Sequence, residues 1–187
     1  GVYQGNILIK DIIKDDSKSA LKNLHELGIE KLVMLTGDND TVAGNVAKEI
    51  GIDTYYAELL PGDKVEKLEE EMKNLNEKET LAFVGDGIND APVLARADIG
   101  IAMGGLGADA AIETADIVLI DDKISKIEDL IKISRKTRRV LYQNIVFILL
   151  IKGFFIILGM FGLASMWEAV FADVGVALLA ILNAVRI

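Results

Sequence analysis

Two acidic side chains that could hold a divalent cation follow an apolar strand near the middle of the chain. Residues 81–84 are predicted to form a strand that runs into the string Gly85-Asp86-Gly87-Ile88-Asn89-Asp90-Ala91-Pro92. Asp86 and Asp90 would then stand at the carboxyl end of a strand, where open α/β sheets bind ligands. Their oxygens suit Mg²⁺, which commonly takes one or two carboxylates together with phosphate oxygens. An ordinary strand-to-helix turn is the alternative for Gly-Asp-Gly alone, and the longer string disfavours it.

A second polar turn follows the predicted strand 31–35, with the sequence Thr36-Gly37-Asp38-Asn39. The Thr36 hydroxyl and the amides of this turn suit a phosphoryl oxygen, and the N-terminus of the helix predicted at 41–50 favours anions. Lys64 opens another predicted helix, after the loop signal Pro61-Gly62. A lone lysine there is usually solvated, and the two polar turns make it a candidate phosphate ligand.

The C-terminal third of the chain is predicted to cross a membrane twice. Residues 145–163 form a stretch of nineteen with one charge, Lys152, and a second apolar stretch covers 167–187. At 1.5 Å per residue each spans about 28–32 Å, close to the thickness of a bilayer core. The alternative is a buried helical hairpin of a soluble protein, which two adjacent stretches of this length make the poorer interpretation.

The distribution of charge gives these helices an orientation. The chain carries a formal net charge of −9, yet residues 132–142 contain five basic residues and no acid. Residues 145–187 cancel to zero, which leaves −14 on residues 1–131. The positive-inside rule places this basic collar, and with it residues 1–142, in the cytoplasm of a multi-pass plasma-membrane protein. The collar adjoins a span and has no interleaved aromatic residues, so we expect no nucleic-acid partner. With no cysteine, disulfides and thiolate metal sites within this chain are excluded.

Short apolar segments alternate with amphipathic ones over residues 1–131. This alternation predicts a doubly wound, mostly parallel α/β sheet followed by a transmembrane helical hairpin. We expect a cytoplasmic domain at 1–131, and a basic collar with two spans, at about 143–163 and 167–187, in residues 132–187. A long helix from about Ser125 should connect the two. Strands are predicted near 6–9, 31–35, 53–57, 80–84, 98–102 and 116–120, and helices near 17–28, 41–50, 62–75, 89–96 and 107–114.

The polar strings resemble those of the haloacid dehalogenase superfamily and, within it, the phosphorylation domain of P-type ATPases. The resemblance implies that Thr36, Gly37, Asp38, Lys64 and Asn89 surround a phosphoryl group. It further implies that Asp86 binds Mg²⁺ with support from Asp90, and that ATP is the substrate of the complete enzyme.

The family's phosphorylated aspartate lies in Asp-Lys-Thr-Gly-Thr, a string that this sequence lacks. The chain is therefore interpreted as a C-terminal part with a sheet incomplete on its N-terminal side, inactive alone, whose partner is the N-terminal part of the same pump. Two alternatives stay open at this point. A membrane-tethered phosphatase of the same superfamily would need its own nucleophile strand, and a non-catalytic regulatory module would not explain the retained carboxylates.

Two charges within the predicted spans are candidates for handling a transported cation. A charge near the bilayer centre costs about 2.5–3.5 kcal/mol on insertion scales, which makes Lys152 and Asp173 functional candidates. With a turn near Ser165 they would lie about 20 and 12 Å from it, so their pairing is expected to be strained. Their placement resembles the zinc-, cadmium- and lead-exporting subgroup of P-type ATPases. That resemblance implies a divalent heavy-metal cation at Asp173, with Lys152 as its counter-charge.

Overall fold

The computed structural model describes residues 13–86, 90–104, 113–163 and 165–187. The chain divides into two compact units, with the division between Glu128 and Asp129. The strand predicted at 6–9 and most of the helix predicted at 107–114 lie outside the described residues.

The first unit alternates strands and helices, as the sequence predicts. Every observed strand pair is parallel, and the predicted α/β fold is confirmed. The strands are β1 (Val33–Leu35), β2 (Thr54–Tyr56), β3 (Ala82–Gly85), β4 (Ile99–Met103) and β5 (Ile117–Leu119), and the helices are α1 (Ser17–Glu26), α2 (Asp40–Ile50), α3 (Pro61–Lys73) and α4 (Ala91–Leu94).

The strands form two separate groups. β1 pairs with β2, and β4 lies between β3 and β5 in a three-stranded sheet. Within the described residues, β1 and β3 therefore each have one edge without a strand partner. These are the two strands whose carboxyl ends lead into the Thr36 and Asp86 turns, so both candidate turns lie beside an open sheet edge.

The amino ends of the strands are fixed by aspartates. In each neighbouring pair, the carboxylate that precedes one strand accepts a hydrogen bond from an amide at the start of its neighbour. The three contacts run from the Leu32 amide to Asp53 (2.7 Å), from the Leu81 amide to Asp98 (2.9 Å) and from the Gly100 amide to Asp116 (2.8 Å). These contacts fix the relative position of the strands at the end of the sheet opposite the candidate turns.

A small apolar core holds α4 against the three-stranded sheet. Leu94 of α4 and Ala102 of β4 are almost fully buried and contact Phe83, Ala115 and Val118. Helix and strand approach so closely that a Cβ added at Gly100 would lie 2.6 Å from the carbonyl oxygen of Leu94. Since real Cβ atoms do not make contacts that short, position 100 requires glycine for this packing. The core thereby fixes the helix that begins immediately after Asp90.

The second unit is a helical hairpin. Helix α5 (Ser125–Met160) starts in the first unit, where the Asp16 carboxylate accepts hydrogen bonds from the amide (3.3 Å) and hydroxyl (3.1 Å) of Ser125. These bonds, led by that of the amide, hold the pKa of Asp16 below its ordinary value. Among the described residues, α5 is the one helix long and apolar enough to cross a membrane by length and composition.

The return segment of the hairpin is helical throughout but not regular. It consists of α6 (Met166–Val170), a π-helical turn (Phe171–Gly175) and α7 (Val176–Ala184), which follow one another without a break. At 1.5 Å per residue, a helix of this length spans about 28 Å. Ala172, Val176 and Ala180 recur every four residues and are buried, so they form the face that packs within the hairpin.

Candidate functional site

The Thr36 turn is closed by hydrogen bonds of its own side chains. The Thr36 hydroxyl donates to Asp38 Oδ2 (2.9 Å) and accepts from the Asp38 amide (3.1 Å). The next residue, Asn39, begins α2 as its N-cap, with Oδ1 accepting from the Val42 amide (3.0 Å). The turn thus ends β1, starts α2 and holds the Thr36 oxygen at the carboxyl edge of the sheet.

Backbone hydrogen bonds connect this turn to the segment that leads into α3. The Leu59 amide donates to the Thr36 carbonyl (3.1 Å), and the Glu58 amide donates to the Asp38 carbonyl (2.8 Å). A Cβ added at Gly37 would lie 3.3 Å from the Leu59 carbonyl oxygen, so a larger residue there would press on this segment. The position of the Thr36 turn is therefore coupled to the start of the helix that carries Lys64.

Lys64 is engaged by one of the predicted metal-site carboxylates. Its Nζ atom lies 2.8 Å from Asp90 Oδ1, and the two side chains are only 18% and 15% exposed. Asp90 directly precedes α4, while Lys64 lies in the first turns of α3. This ion pair therefore joins two helices that follow different strands, and it brings together two of the predicted site residues.

Asp86 and Asp90 are brought close to each other by the glycine between strand and turn. A Cβ added at Gly85 would lie 3.3 Å from Asp90 Oδ2 and 3.2 Å from the Asp90 Cβ. The Asp90 carboxylate therefore rests against the backbone immediately before Asp86, whose side chain is exposed. Asn89 lies outside the described residues, and its predicted role stays a prediction.

The donor set fits a magnesium ion that is shared with a phosphate. No cluster of three or more metal-ligating side chains occurs in the described parts of the chain. Mg²⁺ needs only one or two carboxylates when phosphate oxygens and waters supply the rest. Asp86 and Asp90 provide this number, beside the cation of Lys64, at the carboxyl edge of β3.

The hairpin contains a direct ion pair between its two internal charges. Lys152 Nζ lies 2.6 Å from Asp173 Oδ1, so the expectation of an 8 Å offset in depth was wrong. The expectation placed the turn near Ser165, whereas α5 ends at Met160 and the chain reverses at Gly162, where φ is +70°. A reversal there puts both residues at the same distance from the turn, about 16 Å.

Two polar contacts at the other end of the hairpin were not predicted. Asn144 donates to the Ala180 carbonyl (2.9 Å), and Asn183 donates to Asn144 Oδ1 (2.8 Å). The signal was present in the sequence, because two amides within long apolar stretches need partners.

A charged cluster that ties β2 to α3 was also missed. The Glu71 carboxylate, on a nearly buried residue, accepts from Lys31 (2.6 Å) and from the Tyr56 hydroxyl (2.9 Å). The hydrogen bond from Lys31, supported by that from Tyr56, lowers the pKa of Glu71, and the same bond raises the pKa of Lys31. The cluster lies on the helix that carries Lys64, so it supports the site without contacting it.

Comparison with known proteins agrees with this geometry. Residues 2–98 match the model of the haloacid dehalogenase-like hydrolase family. The chain is 61% identical over 187 residues to a zinc-transporting ATPase of Synechocystis, and 57% identical over 185 residues to a cadmium, zinc and cobalt-transporting ATPase of Bacillus subtilis. These alignments cover 100% and 99% of this chain but 26% of each relative, so the chain spans about a quarter of their length.

A solved structure shares the fold of both units. The crystal structure of a zinc-transporting PIB-type ATPase in its E2.Pi state matches with a TM-score of 0.84 and 39% identity, over 95% of this chain and 28% of that one. The match covers the α/β unit as well as helices of the hairpin, because no smaller portion could reach 95% of the chain. The chain belongs to the haloacid dehalogenase-like hydrolase family and, within it, to the heavy-metal (PIB-type) branch of the P-type ATPases.

Proposed function

We propose that this chain is the C-terminal part of an ATP-driven exporter of a divalent heavy-metal cation that works through an aspartyl-phosphate intermediate. The observation that carries the proposal is the Lys152–Asp173 ion pair within an otherwise apolar hairpin. A cation and a carboxylate that neutralise each other at this depth are costly to place there for packing alone. A divalent cation can replace the ammonium group at Asp173, which makes the pair a switchable site.

The phosphoryl chemistry belongs to the carboxyl edge of the first unit. In the complete pump, the γ-phosphoryl group of ATP passes to an aspartate on another part of the protein. Thr36 and Lys64 neutralise and position that group, and Asp86 with Asp90 holds the ion. When bound there, Mg²⁺ withdraws charge from the phosphoryl oxygens. The Thr36 hydroxyl is already oriented by Asp38, so little reorganisation is needed when the phosphate arrives.

The open edges of β1 and β3 support a place for the missing nucleophile. A parallel strand inserted between them would pair with both, and its carboxyl end would emerge between the Thr36 and Asp86 turns. An aspartate at that end would then face Thr36 on one side and Asp86 on the other. We infer that the strand is supplied by the remainder of the pump and that the residues described here cannot transfer phosphate alone.

The orientation in the membrane follows from charge. We infer that the pump is a multi-pass plasma-membrane protein with residues 1–142 in the cytoplasm, because the basic residues of 132–142 precede the apolar part of α5. The same orientation places the reversal at Gly162 on the outer side. ATP therefore acts on the side where the cation enters, as export requires.

Asp86→Ala in the complete protein tests the chemical half of the proposal. We expect loss of the acid-stable phosphoenzyme formed from radiolabelled ATP, because the carboxylate that holds Mg²⁺ is gone. Asp98→Asn is the matched control, since Asp98 lies at the opposite end of the same sheet, where its carboxylate binds the Leu81 amide. A Mg²⁺-dependent phosphoenzyme that persists in Asp86→Ala would contradict the assigned role.

Asp173→Ala tests the transport half. We expect loss of Zn²⁺-stimulated ATP hydrolysis and of Zn²⁺ uptake into inverted vesicles, while phosphorylation by inorganic phosphate in the absence of metal is retained. Glu168→Gln is the matched control, because Glu168 accepts from the Ser165 amide (2.5 Å) beside the turn and faces no cation. Unchanged metal stimulation in Asp173→Ala would refute the cation site.

A further inference from the structure

A second polar contact crosses the hairpin two turns of helix away from the ion pair. Asn144 of α5 donates its amide to the Ala180 carbonyl and accepts from Asn183, so both ends of its side chain are used. Arg186 continues the chain of bonds by donating to Asn183 Oδ1 (3.1 Å). Both asparagines are half-buried, and Ala180 is buried. We call Asn144, Asn183 and the Ala180 carbonyl the asparagine clasp.

The clasp and the ion pair specify the same register of the two helices. Asn144 precedes Lys152 by eight residues on α5, and Ala180 follows Asp173 by seven on the returning helix. These separations are about 12 and 10.5 Å, so both contacts form together in one antiparallel alignment. A slip of one helical turn, about 5.4 Å, would break both contacts at once.

The ion pair has a particular need for such an anchor, because Asp173 lies in the π-helical turn. In that turn the hydrogen bonds run from i to i+5, so the backbone carries one residue more than an α-helical turn. The direction of the Asp173 side chain therefore depends on how the helix is held on either side of the turn. On the preceding side the chain comes from a short loop and five residues of α6. On the following side, the clasp holds α7.

The amide groups also gain more from this contact than a pair of apolar residues would. In an apolar environment an unpaired amide is costly, so each asparagine favours the single rotation of the helices that satisfies both. Apolar packing alone is less selective, because the buried face of Ala172, Val176 and Ala180 presents similar small side chains at each step.

We propose that Asn144 and Asn183 are positioning residues of the transport site, which fix the rotation and register of α7 so that Asp173 meets Lys152. The proposal rests on the proposed function, since it requires Asp173 to bind the transported cation. Neither asparagine touches the cation; both act through the carboxylate.

The test uses the complete pump and measures the Zn²⁺ concentration for half-maximal ATP hydrolysis together with the maximal rate. Asn144→Ala and Asn183→Ala should each raise that concentration between about threefold and twentyfold, the range set by measured interhelical hydrogen bonds in membranes. The double variant should cost no more than either single variant, because each removes the same contact. Gln143→Ala is the matched control, an exposed neighbour on α5 whose change should leave the Zn²⁺ requirement within twofold.

A Lys152→Ala background separates positioning from general stabilisation of the hairpin. Asn144→Ala should have no further effect on the Zn²⁺ requirement there, since the partner that the clasp aligns is already absent. An equal loss in both backgrounds, or no loss in either asparagine variant, would overturn the proposal. Asn144→Leu preserves side-chain volume and should behave as Asn144→Ala if the hydrogen bonds are the cause. A variant that behaves as wild type would refute this.

Failure of the proposed function gives a different pattern. If Asp173→Ala leaves Zn²⁺ stimulation intact, the cation site itself is wrong. If Asp173→Ala abolishes stimulation while both asparagine variants match Gln143→Ala, the site stands and the positioning role falls. Phosphorylation by inorganic phosphate without metal serves as the folding control, and we expect it to be unchanged in the asparagine variants.

Discussion

Breaking the Lys64–Asp90 ion pair should destabilise the candidate site far more than breaking an equally short pair at the surface. Removing one partner of a fully buried pair costs about 3–5 kcal/mol, because the other charge stays buried without compensation. Exposed pairs contribute less than about 1 kcal/mol. With side chains 18% and 15% exposed, Lys64 and Asp90 lie nearer the buried limit. We therefore expect Lys64→Met to cost about 2–3 kcal/mol.

Lys67→Met is the matched control on the same helix. Lys67 Nζ lies 2.6 Å from Glu70, a distance similar to that of the Lys64 pair, but the side chains are 36% and 57% exposed. Lys67 also lies 5.0 Å from the centre of the Tyr56 ring, a contact that adds a small contribution. We expect its removal to cost less than about 1 kcal/mol in total. The two variants therefore separate the effect of burial from the effect of distance.

Hydrogen exchange of the β3 and β4 amides provides the assay. Mass spectrometry of peptides covering residues 82–103 reports the free energy of local opening without interference from the hairpin. A loss of 2–3 kcal/mol corresponds to about 30- to 150-fold faster exchange. Asp90→Asn should have a similar effect, and the double variant should lose less than the sum of the two single losses by at least about 1 kcal/mol. Additive losses, or a Lys64→Met effect no larger than that of Lys67→Met, would refute the reasoning.

Two further predictions concern the elements that hold the site. The pKa of Glu71 is lowered in the folded state, so its contribution to stability is present above its ordinary value of 4.5 and is lost as the pH falls through the folded pKa. Glu71→Gln should therefore flatten the acid limb of a stability-versus-pH curve measured by hydrogen exchange of α3, and an unchanged acid limb would contradict the assignment. Gly100→Ala should destabilise the unit by about 1–3 kcal/mol, since its Cβ meets the Leu94 carbonyl. Equal exchange protection of β4 in wild type and variant would show that α4 can move away at no cost.

The sequence was sufficient for the order of the elements because the hydrophobic period changes clearly along the chain. All five described strands fall within their predicted segments, and the long helix begins at Ser125 as expected. The observed strands are shorter than the apolar runs because strand length is set by the neighbour. β1 pairs over only three residues, Val33 with Thr54 through Leu35 with Tyr56. Patterning therefore locates a strand, while its ends depend on contacts between distant segments.

The residues of the candidate site could be chosen from local strings, but their partners could not. Lys64 and Asp90 are 26 residues apart, and nothing local indicates that the ammonium group reaches that carboxylate. The aspartates before β2, β4 and β5 read as ordinary loop residues, since their partners are amides of neighbouring strands. The depth of Lys152 was misjudged for a similar reason, because the reversal at Gly162 precedes the position that hydropathy suggested.

The π-helical turn makes the number of residues in the returning helix a specified property of the chain. Each residue advances an α-helix by about 100°, so deleting one residue between Phe171 and Gly175 would restore regular winding and rotate everything downstream by that angle. Val176 and Ala180 would then leave the buried face that they now share with Ala172. A one-residue insertion near Gly162 would not rotate those side chains relative to one another. Length variation among related chains should therefore be tolerated at the loop and rejected in the turn.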